Sequence, residues 1–231
     1  MIKQLPKKGM TLALQVAETL KEAITNGDLA PGERLYQEEI TKQLGVSRIP
    51  VRLAFEMLQG SGLLTLSPHK SATVTELSIM ELKEIFEVRI FIEGMAIEKS
   101  LPNLSDYDLK QCEDIVSTMR NINNPNDWLS LNREFHDTLN SKFTSASIKE
   151  IISTLRTNSQ RYVRVALLQE NRFGPYDDEH ESILDACRQR NIRLAKELIQ
   201  EHLRNTVRVV EKHLQSTQTS KTPEGSARER V

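Results

Sequence analysis

The stretch VSRIPVRLAFEMLQGSGLL, residues 46–64, decides the fold of the first third of the chain. Apolar residues recur in it at helical spacing, at Val51, Ala54, Phe55 and Leu58. Ser47 is a favourable N-cap, and Pro50 falls in the first turn, where a missing N–H group costs least. Arg48 and Arg52 lie one turn apart and project from the side opposite the apolar face. Such a pair is typical either of a solvated surface or of a helix that binds DNA.

The segments on either side of this helix favour the second alternative. Residues 10–26 and 36–45 predict two further helices upstream. Downstream, LLTL and ATV are strand-like runs separated by SPHKS, which predicts a β-hairpin. Its tip carries two basic residues, His69 and Lys70. Three helices and a basic hairpin are the plan of a winged helix-turn-helix, whose third helix enters the major groove. Arg48 and Arg52 are therefore predicted to contact guanine or phosphate.

Composition and charge limit the classes of protein that fit. At 231 residues the chain has room for two modest domains, and its net charge is −1. Residues 1–75 carry nine basic and seven acidic residues, which disfavours a strong non-specific binder of nucleic acid. No apolar run approaches a membrane span and the first twenty residues do not form a secretory signal, which predicts a cytoplasmic protein without membrane attachment. The two cysteines are far apart and predict reduced thiols.

After the hairpin, the pattern changes to six helical segments. They span residues 78–100, 105–121, 126–142, 146–169, 175–190 and 192–214. The sequence thus predicts a mainly α fold, with an N-terminal winged helix-turn-helix and a C-terminal antiparallel helical bundle. The predicted division is an N-terminal arm (1–9), a DNA-binding domain (10–76), an all-helical effector-binding and dimerisation domain (77–214) and a disordered polar tail (215–231).

Three histidines occupy apolar stripes of the predicted bundle. His136, His180 and His202 each have apolar residues three, four or seven positions away, and Asn132 lies one turn before His136. Buried imidazoles need partners, and an ordinary hydrogen bond in the core is one explanation. The other is that three imidazoles and an amide oxygen form a metal site with open coordination positions, suited to zinc or nickel.

The segment PGERLYQEEITKQLGVSRIPVRLAFEMLQGSGLL, residues 31–64, resembles the DNA-binding domain of the GntR family of bacterial transcription regulators. The resemblance covers residues 10–76 and implies a set of DNA-contacting residues, Arg34, Ser47, Arg48, Pro50 and Arg52, with His69 and Lys70 in the wing. One position departs from the family pattern, because a glycine usually follows the basic wing residue and this chain has Ser71. The resemblance therefore does not extend to the backbone conformation of the wing tip.

The helical domain is similar to the FCD ligand-binding domain of the FadR subfamily, in its VanR-like six-helix branch. NREFH, DDEHESILDACRQRN and LIQEHL match the three metal-ligand segments of that domain, which implies ligand roles for Asn132, His136, His180 and His202. Many members have aspartate in place of Asn132. A divalent ion with neutral ligands keeps its full charge, which favours a small carboxylate as effector. The candidate carboxylate partners are Arg89, Arg161 and Arg164, although a surface position explains each of them equally well.

Together these features predict a homodimeric transcription regulator, a repressor whose helical domain binds a metal ion and a small organic acid. Two-fold symmetry predicts a near-palindromic double-stranded operator with half-sites about one helical turn apart. A second hypothesis makes the ion itself the effector. A third, a metal-dependent hydrolase with Glu134 or Glu179 as base, is disfavoured because these glutamates adjoin histidines in sequence and point away from them on a helix. The chain is therefore not predicted to be an enzyme.

Overall fold

The structure is a computed structural model that describes residues 10–68, 71–170 and 174–220. The chain is mainly helical, with a small sheet near its N-terminus, and the predicted fold class is confirmed. The predicted arm, residues 1–9, and the two basic wing-tip residues, His69 and Lys70, lie outside the described residues. We call residues 10–76 the head and the helices that follow the helical domain.

The head is a winged helix-turn-helix built on one apolar core. Its helices are α1 (Leu12–Thr25), α2 (Gln37–Leu44) and α3 (Arg48–Gly60). The apolar face predicted for α3 is buried, at Val51, Ala54, Phe55 and Leu58. Burial of this face fixes the orientation of the helix, because the two arginines near its N-terminus must then face solvent.

The wing is a three-stranded antiparallel sheet rather than the two-stranded hairpin that the sequence predicted. Its strands are β1 (Arg34–Tyr36), β2 (Leu64–Ser67) and β3 (Ser71–Val74), in the spatial order β1-β3-β2. The additional strand, β1, has three residues, and Arg34 pairs with Thr73 of β3. So short a strand has no periodicity of its own, and its partner lies far along the chain, so the local sequence gave no signal for it.

The helical domain contains the six predicted helices. They are α4 (Ile79–Ser100), α5 (Asp106–Met119), α6 (Pro125–Leu139), α7 (Ala146–Glu170), α8 (Gly174–Arg188) and α9 (Ile192–Ser220), with a short 3-10 turn, Leu101–Asn103, after α4. α4 packs between α7 and α9, and the core includes Phe86, Trp128 and Phe135. Cys112 and Cys187 are free thiols in this core, and burial raises the pKa of each to about 12.

The last helix is longer than the sequence predicted. α9 continues to Ser220, so residues 215–220 of the predicted tail are helical, while residues 221–231 lie outside the described range. The apolar repeat stops at Leu214, but adding a residue to an existing helix costs far less than starting one. No helix in the described ranges is long and apolar enough to cross a membrane.

Candidate functional site

Three buried histidines from three helices meet inside the helical domain. His136 comes from α6, His180 from α8 and His202 from α9, and one ligand nitrogen of each lies within 4.8 Å of the others. The ring centroids are 4.7 Å apart for His180 and His202 and 5.5 Å apart for His136 and His180. The structure thus brings together the three histidines whose spacing within apolar stripes was noted in the sequence.

Several polar atoms of this cluster have no hydrogen-bond partner among the described residues. They are Oδ1 of Asn132, Nδ1 of His136 and both ring nitrogens of His180. Burial, followed by the positive charge of Arg156, holds the pKa of His136 well below its usual value, and burial does the same for the pKa of His180. Neutral imidazoles offer lone pairs, so these unpartnered atoms fit a metal ion. We call Asn132, His136, His180 and His202 the histidine cluster.

Glu179 orients the third histidine. Its Oε2 lies 2.7 Å from Nδ1 of His202, and its Oε1 accepts a hydrogen bond of 2.6 Å from the side-chain amide of Asn205. A hydrogen on Nδ1 directed at Glu179 leaves Nε2 of His202 free to bind a metal. Glu179 points away from its neighbour His180, as expected, but it contacts His202 on α9 and so lies beside the site. An argument from one helix alone does not consider such a contact.

A cavity of about 30 Å³ adjoins the histidine cluster. It is lined by Arg89, Leu129, Asn132, Arg133, His136, Arg156, Ser159, Gln160 and Val163. Two residues of the histidine cluster, Asn132 and His136, therefore form part of its wall. The volume is enough for about two water molecules.

Two buried arginines on the cavity wall share one buried carboxylate. Nε of Arg89 donates to Oε1 of Glu93 at 2.8 Å, and Arg156 donates to Oε2 of the same side chain. Arg89 also donates to Oγ of Ser159 at 2.8 Å, and Arg156 to the exposed Asp137. Burial alone would raise the pKa of Glu93, but attraction to Arg156 and Arg89 lowers it to about 2. Glu93 thus stays ionised, and we call Arg89, Glu93 and Arg156 the ion network.

Of the three arginines predicted to hold a carboxylate, only Arg89 lines the cavity. Nη1 of Arg161 donates to the carbonyl of Thr75 at 2.7 Å, and its Nη2 pairs with Glu81. Arg164 donates to Asn126 at 3.0 Å and lies against Gly27 of the head. Both guanidiniums are thus engaged away from the cavity, and a role of Arg161 or Arg164 in binding a carboxylate stays a prediction.

Sequence reasoning missed the second arginine of the cavity. Arg156 lies on α7 one turn before Gln160 and two turns before Val163, which also line the cavity. Arg161, five residues after Arg156, lies on a different side of the same helix, whereas Arg164 continues the row of Arg156 and Gln160 at intervals of four. Helical spacing therefore does not say which of these arginines reaches the cavity.

The head presents its candidate DNA-binding residues at one end of α3. Ser47, Arg48 and Arg52 are exposed, and Ser47 occupies the N-cap position without a capping hydrogen bond from its side chain. Pro50 is buried in the first turn, so little of its ring is available for the predicted contact with DNA. A proline three residues into a helix is placed to fix the backbone, and the fold turns its ring toward the core.

Arg34 is held beside the wing by the residue that departs from the family pattern. Nη2 of Arg34 donates to Oγ of Ser71 at 3.1 Å, and its guanidinium lies 5.3 Å from the centre of the Tyr36 ring. Ser71 is buried, whereas Arg34 is exposed. A glycine at position 71 could not accept this hydrogen bond.

Helix α7 contacts both the cavity and the head. Its residues Arg156 and Ser159 line the cavity. Nδ2 of Asn158 donates to the carbonyl of Ser61 at 2.9 Å, at the end of α3, and Arg161 donates to Thr75 at the end of the wing. The two sets of contacts lie within two turns of one helix.

Comparisons with known proteins match both parts of the chain. The sequence profile of the FCD domain matches residues 84–205, and that of the bacterial regulatory proteins of the gntR family matches residues 12–74. The HTH-type transcriptional regulator YdhC of Bacillus subtilis is 26% identical over 193 residues, which cover 82% of this chain and 86% of YdhC.

Two further relatives match parts of the chain. The regulator McbR of Escherichia coli is 32% identical over 131 residues, covering 55% of this chain and 59% of McbR. The probable D-xylose utilization operon transcriptional repressor of Paenarthrobacter nicotinovorans is 37% identical over 86 residues, covering 37% of this chain and 38% of the repressor. The solved structure of E. coli McbR/YncC superposes with a TM-score of 0.78 at 23% identity and covers 89% of this chain and 100% of that one.

Proposed function

Because the chain belongs to the GntR family of bacterial regulatory proteins and carries an FCD domain, it is a DNA-binding transcription regulator, and we propose that it is a repressor released by a small organic acid. The family consists of regulators and not of enzymes, which removes the hydrolase hypothesis. One relative that matches part of the chain is named a repressor, and its name supports repression rather than activation.

The observation that carries the proposal is the histidine cluster, with its unpartnered atoms of Asn132, His136 and His180, next to a cavity wall that carries three guanidiniums. The cluster would hold a divalent metal, zinc or nickel, through His136, His180, His202 and the amide oxygen of Asn132. When bound, such an ion supplies a positive charge with open positions for an anionic ligand. The chain's own residues then orient the histidines and supply further positive charge.

Charge and size favour a short carboxylate as that ligand. Three guanidiniums lie on the cavity wall, those of Arg89, Arg156 and Arg133. Two carboxylates oppose them, the buried Glu93, which both Arg89 and Arg156 contact, and the exposed Asp137, which pairs with Arg156, so one positive charge remains in excess. A cavity of about 30 Å³ is far smaller than the several hundred Å³ of a drug-sized site. These properties favour an acid with few carbon atoms over an acyl chain or a nucleotide.

Helix α7 supports a route from this site to the DNA. An acid that contacts Arg156 or Ser159 acts on the helix that also holds the ends of α3 and the wing. Release of DNA requires that the acid bind one arrangement of the heads more tightly than the other.

The homodimer is proposed on the exposed apolar face of α4. Phe91 is 74% exposed, and Val88, three residues before it on the same helix, is also exposed. A second copy would cover these side chains and present two heads to a near-palindromic operator with half-sites about one helical turn apart. The oligomeric state in solution tests this part directly.

Calorimetry on the full chain tests the ligand. Metal-stripped protein is titrated with zinc and with nickel, and the metal-loaded protein is then titrated with short mono- and dicarboxylic acids. We expect acid binding only in the presence of metal, and its loss in Arg156→Gln but not in Arg193→Gln, a change at an exposed arginine on α9. Acid binding that is indifferent to the metal, or no acid binding at all, contradicts the proposal.

A second experiment separates the acid from the ion as effector. Genomic fragments retained by the protein are sequenced to give the operator, and release of that operator is followed by fluorescence anisotropy. Release by metal alone would favour the metal-sensing hypothesis, which the three convergent histidines also fit. Release that requires metal and acid together supports the repressor proposed here.

A further inference from the structure

Ile49 is a large apolar side chain on the surface that carries the exposed arginines of the head. It is the second residue of α3 and is 64% exposed, and it lies outside the buried face formed by Val51, Ala54, Phe55 and Leu58. Arg48 precedes it, Arg52 follows three positions later, and both are exposed. In the free protein Ile49 therefore contributes little to the core.

The chemistry of the major groove offers one partner for such a side chain. Each base pair presents hydrogen-bond donors and acceptors there, and the only apolar group on a base edge is the 5-methyl group of thymine. Residues at the N-terminus of a recognition helix contact base edges. Ile49 has no donor or acceptor, so against guanine, adenine or cytosine it would cover polar groups without replacing their hydrogen bonds to water.

We propose that Ile49 reads one thymine in each half-site by packing against its methyl group, an inference that rests on the DNA-binding role of the head. The thymine lies next to the position contacted by Arg48 or Arg52, because the three side chains occupy one turn of α3. The arginines read hydrogen-bonding edges, and Ile49 adds a base that they do not read.

The local backbone holds Ile49 ready for this contact. Pro50 follows it directly and is buried, so the turn that carries Ile49 is anchored in the core. A β-branched side chain in a helix has one strongly preferred χ1 rotamer. Little conformational freedom therefore remains to be lost when the side chain meets a base.

Other apolar side chains on α3 define the alternative. Leu53 and Met57 follow Ile49 at intervals of four residues and are also exposed, though less so, at 37% and 43%. A row of this kind could instead contact another protein. The two explanations differ in one measurable respect, because only a base contact depends on the thymine methyl group.

The experiment begins by selecting high-affinity sites from a random DNA library with the full chain. Each thymine of the selected site is then replaced in turn by deoxyuridine, which removes only the methyl group, and Kd is measured at fixed salt. We expect one thymine in each half-site at which the replacement weakens binding about fourfold, the value of one buried carbon.

Substitutions assign the effect to the side chain. Ile49→Ala should bind the selected site more weakly and lose sensitivity at that thymine alone, and Ile49→Val should retain part of it. Met57→Ala, a change at the far end of the exposed row, should keep the wild-type response. A repeated selection with Ile49→Ala should no longer enrich thymine at that position.

Two outcomes overturn the proposal, and they are distinguishable. A selected site that tolerates deoxyuridine everywhere, or one whose sensitivity persists in Ile49→Ala, overturns the role of Ile49 and leaves the DNA-binding role of the head intact. If no sequence is enriched by the wild-type chain, both fail together.

Discussion

The ion network and the histidine cluster are two groups of buried polar residues beside one cavity, and they differ in how their hydrogen bonds are met. Arg89, Glu93 and Arg156 bond to one another and to neighbouring side chains. In the histidine cluster, His180 has no partner for either ring nitrogen among the described residues. A buried polar group without a partner costs stability, whereas a paired group costs much less. The first group is thus completed by the fold, whereas the second keeps unpartnered atoms that fit the metal ion proposed above.

Loss of the shared carboxylate should give the largest effect. Glu93→Gln removes the buried counter-charge that two buried guanidiniums share and leaves only the exposed Asp137 as a partner of Arg156, so we expect the free energy of unfolding in urea to fall by about 3–5 kcal/mol. Glu98→Gln on the same helix is the control, because Glu98 pairs with Lys196 at the surface and its loss should change little.

The pH dependence of the same group follows from its lowered pKa. The folded value of about 2 lies below the ordinary value for glutamate, so the stabilisation is complete above the ordinary value and is lost as pH falls toward 2. If Glu93→Gln is as stable as the wild type and loses stability at the same acidic pH, the ion network does not stabilise the fold.

The histidine cluster should respond in the opposite sense. His180→Leu removes two unpartnered nitrogens from a core position, so we expect the metal-free protein to lose no stability. The wild type, in contrast, should gain about 2.7 kcal/mol at a metal concentration one hundred times Kd, and the variant should gain none of it.

Thermal unfolding with and without zinc measures both quantities. His213→Leu, a histidine of α9 outside the cluster, serves as the control and should keep the full gain. If metal-free His180→Leu unfolds far below the wild type, His180 is a structural residue and the comparison between the two groups breaks down.

A smaller effect is expected at the carboxylate that orients His202. Glu179→Gln keeps the shape of the side chain but weakens its hold on Nδ1 of His202, so metal affinity should fall by about 10- to 100-fold. Titration against a competing chelator measures the change. Glu134→Gln, at an exposed glutamate next to the cluster in sequence, should leave metal affinity as it is.

The smallest effect is expected at the hydrogen bond between the exposed Arg34 and the buried Ser71 in the wing. Ser71→Ala removes the hydroxyl that accepts from Arg34, and we expect operator affinity to fall about fivefold, the value of one ordinary hydrogen bond. Ser67→Ala, at the residue opposite Ser71 in the sheet, is the matched control in the same anisotropy assay. Equal affinities for both variants would remove Arg34 from the contact surface.

Much of this molecule could be predicted from local patterns. The buried face of α3 and the inward positions of the three histidines follow from helical periodicity, because a core imposes that period on each helix separately. What could not be predicted depends on pairs of elements. The sequence does not distinguish Arg156 from Arg161 as the arginine that lines the cavity. Only the packing of α4 against α7 shows that Arg156 reaches Glu93.

Other misses have the same origin. Glu179 faces away from its own neighbour and toward a histidine on another helix. Pro50 matches a family motif, yet the direction of its ring depends on the core beneath α3. Strand β1 exists because β3 pairs with it, and its three residues carry no pattern alone.

The position of α7 bears on how such a regulator can diverge. Apart from those on α7, the side chains that would recognise a ligand lie on α4, α6, α8 and α9, and those that would recognise an operator lie on α3 and the wing. Mutations in either set can change one specificity while leaving the other unaltered. α7 carries both residues of the cavity and residues that contact the head, so a change in this helix can affect both functions. Among descendants of one ancestral gene, new inducers and new target genes can thus arise independently, while this helix is the part that varies least freely.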